Sequence, residues 1–433
     1  MNVEKYFNTF IKVKHDSSLK VMQYFMKKYN NIQNEMKIIH VAGTNGKGSC
    51  VEMISKILEE EGYKVGKFIS PHLMKYNERI SINGNLITDT EFEELIRELD
   101  PIIREYNIEN NTNVIFFELI TIMALIYFYR KKVDFVVLET GIGGLYDCTN
   151  VIEKPLVSVV TSIGYDHTNV LGNSLKEIAS QKAGIIKQNS NTVYFEQSEE
   201  INNVFKEKCL SLNNKLHLVI NDDIKNYTYD ETYQYFDYKQ YKNILLKLKG
   251  KMQIQNAALC IETVEAIKEM GYSISEASTR KGLKDVEHKG RMEILNKEPL
   301  VIYDGAHNEP AVINLLNTVK MYYRGLKRTY IVSILKKKDY KKVVEELLKD
   351  EEAEFIFTSG NDSEKFVSKE EIYEYVTNLK KKKNQKLIMK DLEKAVEDAL
   401  THKNSKNVYF VVGSFYVYET VNNEIYKVKG KVW

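Results

Sequence analysis

Short runs rich in β-branched and aromatic residues recur along the first part of this chain, each separated from the next by a stretch with helical spacing of its apolar residues. The runs are KIIHVAG (37–43), YKVGKFIS (63–70), VDFVVLET (133–140), PLVSVVTSIG (155–164) and NTVYFEQ (191–197). Strands that alternate with helices fold as βαβ units, because a parallel pair needs a long crossover and the crossover helix covers a sheet face. The pattern therefore predicts a doubly wound, mostly parallel α/β sheet. The segment FFELITIMALIYFYRKK (116–132) is apolar on most of its surface, ends in three cations and runs into DFVVLET, as expected of a buried helix feeding a central strand.

A second series follows residue 296: PLVIYDGAHN (299–308), KRTYIVSIL (327–335), AEFIFTS (353–359), KLIMKD (386–391) and NVYFVVGS (407–414). At 433 residues the chain exceeds one ordinary core, and two domains are expected, a larger one over 1–296 and a smaller, Rossmann-like α/β unit over 297–433. Residues 198–250 carry no chemical motif and alternate in the β manner, which predicts an antiparallel appendage or surface hairpin. The lysine run at 380–383 reads as a solvated helix end.

The 62 Lys+Arg against 60 Asp+Glu leave a formal charge of +2, so no global field favours a nucleic acid or an anionic membrane, and any anion site must be local. Cys50, Cys148, Cys209 and Cys260 are scattered, with neither zinc-ligand spacing nor a disulfide framework. The first residues lack an apolar leader core, and no run reaches the ~18–20 apolar residues of a membrane span. The expectation is a soluble, cytoplasmic protein acting as a monomer.

Local anion binding has one obvious candidate. In IIHVAGTNGKGSC (38–50) an apolar strand enters a glycine-rich loop with a single lysine, and a helical pattern follows. Gly43, Gly46 and Gly48 allow backbone amides close to phosphate oxygens, and Lys47 can reach the outer phosphates. The spacing differs from G-x-x-x-x-G-K-[ST]: Gly48 follows Lys47, and Ser49 comes one place late. A flexible turn with a surface lysine is the plainer alternative.

Nucleoside triphosphates come with Mg²⁺, which needs hard oxygen ligands near the phosphates. Glu139 ends the strand DFVVLE just before the glycines of TGIGG (140–144), at the strand end where open α/β sheets bind ligands. The next strand ends in YDHTNVLG, which brings Asp166 and His167 to the same rim. In SLKEIASQKAGIIK (174–187), helical spacing alone makes Lys182 a solvated cation. The second series repeats the theme: Asp304, His307 and Asn308 end a strand, and Arg291 precedes it, although a surface arginine is the simpler reading there.

In this order and spacing the residues resemble the folylpolyglutamate synthase and dihydrofolate synthase family within the Mur-ligase superfamily. The resemblance rests on HVAGTNGKGS (40–49), SPHL with NERI (70–73, 77–80), ETGIGGLYDCTN (139–150), DHTNVLG with IASQKAGIIK (166–172, 178–187), QIQNA (253–257), GRME (290–293), DGAHN (304–308) and GSFY (413–416). It implies ATP between the domains, held by Asn45, Gly46, Lys47, Gly48 and Ser49 together with Asn256, Arg291 and Asp304. It implies Mg²⁺ on Ser70, Glu139 and His167, and catalytic roles for Lys47, Lys182 and His307. Lys182 matches a lysine that the family carbamylates, against the solvated reading. The implied reaction is ATP-dependent addition of L-glutamate to tetrahydrofolate through an acyl phosphate, and it leaves open whether dihydropteroate is also an acceptor. Other Mur-type amide ligases, or an ATP-binding switch that ligates nothing, are the competing readings. Met252 departs from the histidine frequent in the family, and TSGNDSEK (358–365) only loosely matches its substrate loop.

Overall fold

The structure, a computed structural model, describes residues 3–10, 18–379, 385–401 and 406–430; the lysine run at 380–383 lies outside them. The chain divides into two compact units. The first comprises Met1–Tyr229, Gln234–Lys247 and Ile254–Val286, and the second comprises Asp230–Tyr233, Leu248–Gln253 and Glu287–Trp433.

The first unit is built on eight strands: β1 (Ile38–Ala42), β2 (Val65–Phe68), β3 (Ile80–Ile82), β4 (Asn85–Leu86), β5 (Phe135–Glu139), β6 (Val157–Val160), β7 (Asn191–Phe195) and β8 (Lys215–Val219). Their order is β4-β3-β2-β5-β1-β6-β7-β8, parallel throughout except at the β2–β3 and β3–β4 pairs. Every residue of β1, β5 and β6 is buried, whichever way its side chain points, so both faces of the sheet centre are covered. The apolar segment forms the helix Phe116–Arg130, which is buried along nearly its whole length. Among the described residues no helix is long and apolar enough to cross a membrane.

Helix Glu199–Ser211 and β8 take up the start of the 198–250 stretch. The rest is the expected antiparallel appendage, strands β9 (Ile224–Tyr229), β10 (Gln234–Tyr238) and β11 (Tyr241–Leu246) in the order β11-β10-β9. It is anchored by Glu262, whose Oε2 accepts from Tyr238 Oη at 2.9 Å and Lys239 Nζ at 2.7 Å.

In the second unit β12 (Glu293–Asn296), β13 (Leu300–Asp304), β14 (Lys327–Val332), β15 (Glu354–Phe357), β16 (Leu387–Met389) and β17 (Asn407–Val412) are ordered β12-β13-β17-β14-β15-β16. Only the β12–β13 pair is antiparallel. That pairing ties residues 293–296 to the second sheet, within the Glu287–Trp433 stretch of this unit.

Candidate active site

Because β2, β5, β1 and β6 run parallel in that lateral order, the loops leaving them share one rim. Ser70, the segment 43–49 and His167 lie on the loops leaving β2, β1 and β6, and Glu139 is the last residue of β5. Glu139 and His167 come from strands on either side of β1, so the glycine loop stands between them. From β1 the chain crosses to β2 on one side, and from β6 to β7 on the other. Such a reversal opens the crevice in which open α/β sheets bind ligands.

The loop is short and tightly held. Gly46, at φ +91°, precedes the helix Lys47–Glu60, whose first internal bond runs from Cys50 N to Gly46 O at 2.9 Å. The amides of Lys47, Gly48 and Ser49 are thus the leading donors of a 14-residue helix, at its positive end. Across the rim, Thr44 N donates to Ser162 O at 2.7 Å, and Asn45 O accepts from Thr161 Oγ1 at 2.7 Å and Ser162 Oγ at 3.1 Å. Thr44 Oγ1 donates to Gly164 O at 3.0 Å and accepts from Gly164 N at 3.1 Å. Sequence reasoning passed over 161–164 as the tail of a strand, yet these residues brace the loop.

Two glycines are required by close approach as well as by backbone angle. A Cβ on Gly43 (φ +154°) would lie 1.7 Å from Thr161 Oγ1, and one on Gly46 would lie 2.6 Å from Asn256 Oδ1. The second contact brings Asn256, on the helix Lys251–Glu269, against the loop.

Two lysines converge on one oxygen. Lys47 Nζ donates to Gly43 O at 3.1 Å, and Lys182 Nζ donates to the same atom at 2.7 Å. Lys182 is only 3% exposed, which corrects the solvated reading from helical spacing. The helix Leu175–Lys182 ends in a turn through Gly184, where the lack of a side chain lets Leu145 of a distant segment pack close. In a chain of nearly balanced charge, this is a concentrated positive site.

Glu139 is buried, and its Oε2 accepts from Ser70 N at 3.1 Å. His167 is half-buried at φ +52°, its amide bonded to Asp166 Oδ1 at 2.9 Å. Among the described residues no group of three or more His, Cys, Asp or Glu side chains is clustered to cage a metal ion. One buried carboxylate beside a phosphate-type loop suits a Mg²⁺ that keeps its waters and takes most other ligands from phosphate.

In the second unit, Arg291 and His307 meet the Phe415 ring, and Asp304 feels the charge of Arg291. The Arg291 guanidinium lies over the Phe415 ring, 4.6 Å from its centroid, and the His307 ring meets it edge-on at 5.8 Å. A Cβ on Gly305 would fall 2.1 Å from this ring, so only glycine lets the loop pass over it. Asp304 is buried, with Oδ2 accepting from Met292 N at 3.0 Å and Oδ1 from Ala306 N at 2.9 Å. Burial raises its pKa, and the charge of Arg291 and these amides partly oppose that rise. His307 Nδ1 lies 2.7 Å from Gly305 O; a carbonyl only accepts, so Nδ1 carries a hydrogen and Nε2 is the basic nitrogen of the neutral ring.

Comparison with known proteins gives this arrangement a lineage. Residues 41–264 match the Mur ligase middle domain, and residues 290–415 match the Mur ligase glutamate ligase domain. Over 334 residues the chain is 38% identical to the dihydrofolate synthase/folylpolyglutamate synthase of Bacillus subtilis, covering 75% of this chain and 77% of that protein. The chain belongs to the folylpolyglutamate synthase/dihydrofolate synthase family of Mur ligases. The folylpolyglutamate synthase of Lacticaseibacillus casei is 32% identical over 324 residues, 73% of this chain and 75% of that protein. A solved FPGS–AMPPCP–folate complex superposes with a TM-score of 0.81 at 26% identity, covering 98% of this chain and 100% of that one. Ser49, the late serine of the loop, is buried in the first turn of its helix.

Proposed function

We propose that this chain is an ATP-dependent carboxylate–amine ligase that adds L-glutamate to folates, with tetrahydrofolate as acceptor. The observation that carries the reading is the pair of lysines on the Gly43 carbonyl, at a rim that also bears Glu139. Such a rim suits a transferring phosphoryl group, where positive charge and positioned donors do most of the catalytic work. The FPGS–AMPPCP–folate complex supports it, because its name pairs a nucleotide analogue with folate in a relative of the same fold.

In this reading Asn45, Gly46, Lys47, Gly48 and Ser49 hold the phosphates, and Asn256, Arg291 and Asp304 contribute to nucleotide binding. Ser70, Glu139 and His167 would hold Mg²⁺, which offsets phosphate charge when bound. The acceptor carboxylate forms a bond to the γ-phosphorus as the bond to ADP breaks, with Lys47 neutralising the charge that develops. The glutamate amine then forms the amide bond, phosphate leaves, and His307 Nε2 takes the amine proton. Lys182 orders the loop through Gly43, whether its nitrogen stays an ammonium or is carbamylated.

Dihydropteroate is the second acceptor to consider, given the double name of the Bacillus subtilis relative. The test is ADP release with dihydropteroate, dihydrofolate or tetrahydrofolate, each with and without L-glutamate. Release that needs both glutamate and a pteridine acceptor is expected. ADP release indifferent to both would leave only a switch that hydrolyses ATP.

A further inference from the structure

Two buried titratable side chains of the first unit have no part in the reaction outlined above: His40, in the middle of β1, and Asp147, in the loop after Glu139. One hydroxyl joins them. His40 Nε2 lies 2.8 Å from Thr149 Oγ1, and Thr149 Oγ1 donates to Asp147 Oδ1 at 2.6 Å. Asp147 also accepts from the amides of Ile142 at 2.8 Å and Thr149 at 3.1 Å, so both of its oxygens face donors. Since the single hydroxyl proton goes to the carboxylate, Thr149 must accept from His40, which makes the imidazole the Nε2–H tautomer. The other ring nitrogen, Nδ1, is buried with no hydrogen-bond partner, a desolvation cost that an apolar residue would not carry. A histidine at this position is understandable only if its Nε2 bond matters.

What that bond secures is the loop 141–150, and this loop grips the turn that bears Lys182. Leu145 N donates to Gln181 O at 2.7 Å, and Asn150 Nδ2 donates to Gly184 O at 3.2 Å and to Leu145 O at 3.0 Å. The packing leaves no slack. A Cβ on Gly144 would stand 3.0 Å from Lys182 Cα, and one on Gly184 would stand 2.3 Å from Leu145 Cα. Lys182 Nζ then reaches Gly43 O, three residues along the chain from His40.

We propose that this closed circuit, from β1 through Thr149 and Asp147 to the 141–150 loop, on to Lys182 and back to the phosphate loop, makes His40 and Thr149 positioning residues for the Lys182 nitrogen. The inference rests on the part given to Lys182 under the proposed function. Thr149→Val removes the hydroxyl at nearly constant volume, Thr149→Ser retains it, and Asn150→Ala cuts the circuit at a second point without touching the core of β1.

The experiment measures hydrogen–deuterium exchange, melting temperature and glutamate- and folate-dependent ADP release on the full chain. Thr149→Val and Asn150→Ala should each speed exchange in both 141–150 and 181–186. Each should also lower kcat about 10-fold, with KM for ATP held within about twofold, because misplacement of a catalytic group costs turnover more than binding. Thr149→Ser should recover both readouts. If Thr149→Val does not fold, Asn150→Ala carries the test. Faster exchange confined to 141–150, an unchanged kcat, or a loss that Thr149→Ser does not recover would overturn the proposal. Exchange is read without turnover, so a wild-type protein lacking glutamate-dependent activity would end the ligase reading separately.

Discussion

At the rim of the first sheet the working loop is held mainly through its backbone: Thr44 and Asn45 exchange hydrogen bonds with residues 161–164, and lysines approach from two sides. At the rim of the second sheet the organising element is a side chain, the Phe415 ring, with a guanidinium on its face and a glycine passing over it. A loop braced by backbone bonds fixes a row of amide donors, which suits an anion with several oxygens. A stacked arginine instead presents one flat cation at a set angle, and the ring limits its rotamers. The two rims therefore respond differently to substitution: the first through electrostatics and burial, the second through aromatic packing.

The largest effect is expected at the first rim. Lys47→Ala should lower turnover by roughly 10³-fold or more, in line with losing a charge stabiliser from a phosphoryl-transfer site. Circular dichroism and the melting transition should stay in place, and retained turnover would remove the loop from the mechanism.

A second prediction concerns what lies beneath that rim. Burial, with a smaller contribution from the charge of Lys187, pushes His40 down to about 3. The unfolded chain takes up a proton near pH 6.5, whereas the folded chain does so only near pH 3. The stability due to a neutral His40 is therefore complete above pH 6.5 and is lost as the pH falls between the two values. His40→Gln keeps an amide donor and cannot titrate. Denaturant titrations from pH 7 to pH 4 should show wild type losing more stability than the variant, with a full difference on the order of 3 to 5 kcal/mol. Parallel curves would place the pH sensitivity elsewhere.

The smallest effect is expected at the second rim. Phe415→Leu deprives the Arg291 guanidinium of its ring, worth about 1–2 kcal/mol in a desolvated setting. KM for ATP should rise about 5- to 30-fold with kcat within about twofold. An unchanged KM would reduce the ring to packing beneath Gly305.

Much of this architecture was legible in the sequence because it follows from local periodicity. Each of the ten β-branched runs became a strand, and the buried helix 116–130 was plain from its apolar surface. Strand order was not legible: nothing in periodicity says that β1 enters between β5 and β6, since crossover direction is a property of the whole chain. The β3–β4 hairpin was overlooked although Asn83-Gly84, both at positive φ, is a strong two-residue turn signal. β12 has no such marker, being four residues long with only Asn296 buried. The placement of Lys47 at a helix start and of Glu139 at a strand end was legible because a motif marked each of them. Helical spacing left Lys182 solvated and only the resemblance set it apart, because its burial comes from glycines on two segments that the sequence keeps apart. The bracing by Thr161 and Ser162 left no signal beyond ordinary hydroxyls.

The contact between Gly46 and Asn256 has a consequence for how the first unit is assembled. The phosphate loop is made early, but the side chain that closes against it arrives about two hundred residues later, on the helix Lys251–Glu269. Contacts of such long sequence separation form late, because much loop entropy must be lost before they add stability. On a ribosome, the loop would wait uncompleted while the rest of the sheet is made. With the loop binding nucleotide as proposed above, affinity would report on completion: a chain that stops short of residue 256 has the whole glycine motif and lacks the side chain that packs against Gly46.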